Sequence, residues 1–163
     1  MSKLMMVILI LPVLFILQVI QQDLEHASHV YFRSKHGLNH AVQAAVQQID
    51  TNLLSDGIID LDAVLAEQVL KNYLMVNLKV DSQLIPTAGS FLRDPIQRYR
   101  VIYIDHLRTF PYELNTELGD IIQFQRPGVY LECQIQYPRL YGLLPPIKWD
   151  IRSAGQVVPL PPR

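Results

Sequence analysis

From Leu4 to Ile20 the chain reads LMMVILILPVLFILQVI, apolar at every position but Gln18 and without a charge. A helix rises about 1.5 Å per residue, so this run covers roughly 25 Å, close to the hydrocarbon core of a bilayer at about 30 Å. Lys3 and Gln21 flank it and can reach the interface. Pro12 lies inside the run, which a membrane helix tolerates because neighbouring groups satisfy the freed carbonyl. Nothing announces a helix end before Asp50–Gly57, so the pattern predicts one helix from Leu4 to about Asp50. Its first half is a membrane anchor or a filament-core helix. In its second half Leu24, Ala27, Tyr31, Leu38, Ala41, Ala45 and Ile49 recur at spacings of three, four and seven, with Ser34 in the gap. They form an apolar seam, a helix-packing interface suited to a coiled coil or a packed helix. Gly37 weakens it by about 1 kcal/mol relative to alanine.

The opposite face is polar. Gln22, His26, His29, Arg33, His36, His40, Gln43 and Gln47 follow at steps of four and three, which puts four of the five histidines on one stripe. The plain reading is a solvated face. A sharper one is a pH-sensitive contact surface formed by His26, His29, His36 and His40, since histidine titrates near neutrality. Metal binding through His36 and His40 would leave two ligands without an acidic or cysteine third, which is weak support.

Beyond the long helix, Ser55-Asp56-Gly57 marks a turn. Asp60 is expected to cap a second helix over about 61–76, with Leu61, Val64, Leu65, Val69, Tyr73 and Leu74 on its buried side. Leu78 and Val80 alternate like a short strand. Residues 97–106 alternate well enough for a strand, and 121–125 with 129–137 flank Arg126-Pro127-Gly128 as a hairpin. In the second arm Val129, Leu131, Cys133, Ile135 and Tyr137 share one face. Residues 147–151, around Trp149, read as the last strand, and no internal repeat is present. The fold class is therefore α+β: a long N-terminal helix, a second helix and an antiparallel meander of three to five strands. The division expected is an anchor over 1–21, an amphipathic helical stalk over 22–56, a domain over 57–156 and a proline-rich, extended tail over 157–163.

Composition narrows the function more than it defines it. With 163 residues, the chain holds the anchor and one ordinary domain. Lys plus Arg number 14 and Asp plus Glu 15, a balance that argues against nucleic-acid binding, which needs a basic patch. A single cysteine cannot form an internal disulfide, so it says nothing of the compartment. Lys3 precedes the anchor whereas Asp23 and Glu25 follow it, which places the N-terminus in the cytoplasm and the domain outside. No small-x-small pair follows the apolar run promptly, so an uncleaved anchor is expected rather than a cleaved signal peptide.

Catalytic chemistry finds little support. Cys133 sits inward on its strand, with no histidine placed to activate it, and reads as a buried structural thiol. Asp60 and Asp62 belong to a helix start. Asp105 and His106 are strand neighbours on opposite faces and could act together only through a partner from elsewhere. There is no nucleophile elbow and no glycine-rich phosphate loop. The expectation is a protein that is not an enzyme and takes no cofactor.

The apolar helix with LPVLFIL, the following HAVQAAVQQID, and then LLSDGIIDLDAV, NLKVD and GVYLECQIQYP resemble the TadE/TadG-like pseudopilins of tight-adherence (Flp-type) pilus systems, in their Gram-positive form. That resemblance implies a membrane-anchored pilin-like or pseudopilin subunit. Its partners would be a prepilin peptidase, an assembly ATPase and membrane platform proteins, with self-association through the N-terminal helix. The chain departs from the pilin pattern in having its first glycine at Gly37 and no acid within Leu4–Ile20. This favours a membrane-retained accessory subunit over a major filament subunit. The alternative is a bitopic extracytoplasmic binding or sensor module acting through a membrane partner.

Overall fold

The computed structural model describes residues 2–117, 119–142 and 144–158. Helix α1 (Ser2–Ala45) runs for 44 residues and passes through Pro12 unbroken. At about 1.5 Å per residue it is roughly 66 Å long. It is long and apolar enough to cross a membrane, and its most apolar window is wholly exposed. The two halves have different surroundings. Every large apolar side chain from Met5 to Leu17 is exposed, whereas Ala27, Leu38, Ala41, Val42 and Ala45 are buried. The first half is therefore an apolar helix that the rest of the chain does not cover.

The helix stops short of the expected end. A turn follows Ala45, and Ile49 pairs with Leu61 in an isolated bridge outside the helix. Asp50 is committed instead to the short helix α2 (Thr51–Ser55), where its carboxylate accepts the N–H groups of Asn52 and Leu53. Helix α3 (Ala63–Leu78) is capped by Asp62, whose carboxylate accepts the Leu65 N–H at 2.9 Å, and not by Asp60. Its buried side is Ala66, Leu70, Leu74 and Leu78. Val64, Leu65 and Tyr73, expected inside, are exposed. Apolar residues ring this helix, so periodicity alone does not select the face; the close crossing over α1 does, and it favours the side carrying Ala66. Gly37 makes that crossing: a Cβ there would stand 2.7 Å from Leu78 Cδ2. Its cost in helix propensity is offset by closer helix packing. Leu78 ends α3, and Val80 makes only a bridge to Pro86, so no regular strand forms there.

Strands β1 (Gln97–Ile104), β4 (Gly128–Tyr137) and β5 (Ile147–Gln156) form an antiparallel sheet in the order β1–β4–β5. Strands β2 (Tyr112–Asn115) and β3 (Ile121–Phe124) form a separate antiparallel pair. The hairpin expected across Arg126-Pro127-Gly128 is thus not a hairpin. That tripeptide carries the chain from one sheet to the other, and β3 pairs with β2, which the sequence pattern had not revealed. The α+β class stands, with sheets of three and two strands.

The second half of α1 lies across this sheet with α3 beside it. One core joins Leu38, Ala41, Val42 and Ala45 of α1, Leu70 and Leu74 of α3, and Val129, Leu131, Cys133 and Ile135 of β4. A Cβ on Gly155 would stand 2.9 Å from Val42 Cγ1, so the helix rests directly on the backbone of β5. Residues 22–56 are accordingly no stalk beneath the domain; from Ala27 onward the helix is the domain's spine. A second cluster of Ile104, Leu114, Phe124 and Tyr130 fills the space under the β2–β3 pair, so the first part of β4 is covered on both faces. Val157 is buried and donates its N–H to Pro127 O. The remainder of the expected proline-rich tail, 159–163, lies outside the described residues.

Candidate functional site

The features that tie the apolar helix to the domain gather where α1 leaves its uncovered half. Asp23 is the first charge after the apolar run, and it is buried. Its carboxylate accepts hydrogen bonds from Tyr137 Oη (3.1 Å), Arg139 Nη1 (2.9 Å) and the Leu140 N–H (3.0 Å). Burial raises the pKa of the carboxyl. The Leu140 N–H, Arg139 and Tyr137 more than offset it, and the net value lies below the ordinary 3.8. Burial and the same carboxylate push the Tyr137 phenol up to about 12, so it remains a hydrogen-bond donor. Asp23 therefore fastens the end of β4 and the β4–β5 connection onto α1.

That connection continues toward the apolar half of the helix. Tyr141 Oη donates to Gln22 Oε1 at 3.4 Å. The Tyr141 side chain also borders an apolar groove of about 380 Å³ lined by Phe15, Ile16, Gln18, Val19 and Gln22. Leu140, Tyr141 and Leu144 are all exposed.

Above this point the polar stripe of α1 becomes one wall of a cleft. All its members from Gln22 to Gln47, the four histidines included, face outward as expected of a solvated face. His26, His29 and Arg33 border a cleft of about 450 Å³, closed on its other sides by Phe91, Arg93, Tyr137, Arg139 and Leu140. The Arg33 guanidinium stacks over the Phe91 ring, 4.5 Å from its centroid. His36 and His40 continue the stripe beyond the cleft. Among the described residues, no group of three or more His, Cys, Asp or Glu is arranged to hold a metal.

The seam divides by position. Ala27, Leu38, Ala41 and Ala45 are buried, and Tyr31 packs on the core with its ring 5.6 Å from that of Trp149. Ser34, also buried, turns its hydroxyl back to Val30 O at 2.7 Å, which satisfies it inside the helix. Leu24 is 48% exposed and belongs to no packed seam, because the domain reaches α1 there only on the side of Asp23. Ile49 contributes from outside the helix. The packing partner of this interface is the chain's own sheet and α3.

Other reactive groups are placed structurally. Cys133 is buried in the core, and burial pushes its thiol up to about 12, the neighbouring charges of Glu132 and Asp150 adding to the effect. Asp60, expected as a helix cap, instead accepts the backbone N–H of His106 at 3.2 Å and meets its Nδ1 at 2.5 Å. Asp105 and His106 are not strand neighbours, because β1 ends at Ile104; the partner His106 finds is a carboxylate 46 positions earlier, and the pair closes the loop after β1 onto the segment before α3. The histidine stripe is legible in the sequence, whereas Arg93 and Arg139, which loops bring to it, and the role of Asp23 are not. A lone acid after an apolar run carried a topological signal only.

No family model, curated protein or solved structure matches this chain.

Proposed function

We propose that this chain is a membrane-anchored pilin-like or pseudopilin subunit of the TadE-like kind, a structural or assembly component of a surface pilus or secretion apparatus. The observation that carries this reading is the single unbroken α1. Its first half presents apolar side chains on every face, and its second half is the spine of the domain. Such a helix couples the domain rigidly to whatever surrounds the apolar half, with no linker to absorb motion. Lipid surrounds it while the subunit waits in the membrane, and like helices surround it when subunits bundle. The charge asymmetry about the span supports a cytoplasmic N-terminus and an external domain. The exposed Leu65, Tyr73 and Val76 on α3 supply apolar surface for contacts between subunits.

The reading is tested by placing one cysteine at a time at Leu14, Phe15, Ile16 and Leu17, which together cover a full helical turn, and oxidising the native membranes. Self-associating subunits give disulfide-linked dimers at some of these positions and not at others, with helical periodicity. Cys133 stays silent, because a buried thiol with a raised pKa forms little thiolate. Monomer alone at every position would remove the self-association on which the pilin-like reading depends. The cationic cleft would then favour the bitopic binding module.

A further inference from the structure

We infer that the face of α1 running from Phe15 to Arg33 is a binding site for one anionic phospholipid of the surrounding bilayer. Its phosphate would sit in the cleft and an acyl chain in the groove below. Two separate features share this face. Phe15, Val19, Gln22, His26, His29 and Arg33 follow at steps of three and four, so they form one continuous line along the helix. The lower part of that line borders the apolar groove with Tyr141, and the upper part borders the cleft with Arg93 and Arg139. Apolar below and cationic above, the line follows the chemistry of a lipid with an anionic head.

The lower end of the cleft stands just above the headgroup layer: His26 lies about 9 Å along the helix from Ile20, the last residue of the apolar run, and the Arg33 backbone about 20 Å. The headgroup layer on each side of the hydrocarbon is about 5–8 Å thick. Helical side chains lean toward the N-terminus, so a long side chain such as that of Arg33 can reach several ångströms from its own Cα back toward the membrane, from its place over Phe91. Tyr141, beside Val19 and bonded to Gln22, lies at the boundary where aromatic side chains gather.

The charges in the cleft are available to a ligand. Three arginines and two histidines converge there, in a chain whose formal net charge is −1. Arg139 is paired with Asp23. Among the described residues neither Arg33 nor Arg93 has a carboxylate within ion-pair distance, and the nearby acid on the helix, Glu25, stands 3.8 Å from His29. Two guanidinium groups are left to donate to a phosphate, the geometry for which arginine is best suited. A soluble acidic ligand would account for the cleft but not for the groove, whose wall is the apolar span itself.

This inference rests on α1 crossing a bilayer and not on the pilus reading. The test reconstitutes the full chain into nanodiscs of phosphatidylcholine containing a minority of phosphatidylglycerol, then counts retained lipids by native mass spectrometry. The wild type is expected to keep one phosphatidylglycerol in preference to phosphatidylcholine. The double variant Arg33→Ala/Arg93→Ala is expected to lose that preference by about thirty-fold, from the attraction of two cations near an anionic surface. Both residues are exposed and Arg139 is left in place, so the fold persists, which Trp149 fluorescence verifies. Tyr141→Ala should weaken retention while leaving the preference for the anionic head. Equal retention of the two lipids by the wild type, or an unchanged preference in the double variant, would overturn the site. Inorganic phosphate displacing the lipid at equal concentration would overturn the lipid assignment in favour of a soluble anion. Failure of the chain to enter nanodiscs at all would overturn the membrane span itself, and with it the site.

Discussion

Ala41→Lys is expected to unfold the globular domain, not merely to loosen an assembly. Ala41 has no exposed surface, and its methyl group packs in the core formed by α1, α3 and β4. A lysine there must place its long chain where a methyl group fits, at about 1–3 kcal/mol for overpacking. It must also bury an ammonium with no partner, at several kcal/mol more. A domain of this size has roughly 5–15 kcal/mol of stability in total, so one substitution removes most or all of it. Ala45→Lys should behave alike, since Ala45 is equally buried. His40→Lys, one position away but exposed, should change stability by no more than about 0.5 kcal/mol. Thermal unfolding of the three variants followed by near-ultraviolet circular dichroism separates these outcomes. A cooperative transition for Ala41→Lys at the wild-type temperature would mean that the seam is not packed inside the chain.

Removing the Asp23 carboxylate is the next most damaging change. Asp23→Ala leaves the Arg139 guanidinium, itself only 13% exposed, without its counter-charge, the Leu140 N–H without its acceptor, and the Tyr137 hydroxyl with only the residue-23 carbonyl at 3.5 Å. Breaking a buried pair by deleting one partner costs about 3–5 kcal/mol. The damage should be local: faster hydrogen exchange at Leu140 and detachment of the β4–β5 connection from α1, with the core around Leu70 and Leu131 protected as before. The pH dependence follows from the direction of the shift. The folded-state pKa lies below the ordinary 3.8, so the contribution is complete above that value and disappears as pH falls through the folded pKa. Wild type should therefore lose the Leu140 protection only in acid below about pH 4. Asp23→Asn should show reduced protection at all pH values. Protection of Leu140 that is indifferent to Asp23→Ala would contradict the role assigned to this residue.

The parts of this structure that are legible in sequence are those with local, redundant signals. An uninterrupted apolar run and a seven-residue seam made α1 and its two-sided second half readable, and strict alternation made β4 readable. The helix end was not, because Ile49 extends the apolar period past the last hydrogen-bonded turn, which closes with the Val46 N–H on Val42 O. The buried face of α3 was not, because Val64, Leu65, Val69 and Val76 make it apolar all round. Strand β2 has only four residues, too short for alternation to declare itself, and without it the pattern pairs β3 with its nearest neighbour in sequence. The junction fared worst. Tyr137 and Arg139 meet Asp23 across 114 and 116 positions, and a pairing at that distance leaves no local trace. The same holds for Arg93 and Arg139 against the histidine stripe: the exposed face was readable, the cleft was not.

On the function proposed above, the uncovered apolar half of α1 stays joined to the domain and holds it at a membrane or within a filament. The most direct measurement is the N-terminal sequence of the native protein, by mass spectrometry of membrane, medium and sheared-filament fractions. The protein in the membrane or filament fraction is expected to retain Leu4–Ile20 continuous with the domain. A mature protein beginning beyond Gln22 and recovered from the medium would contradict it.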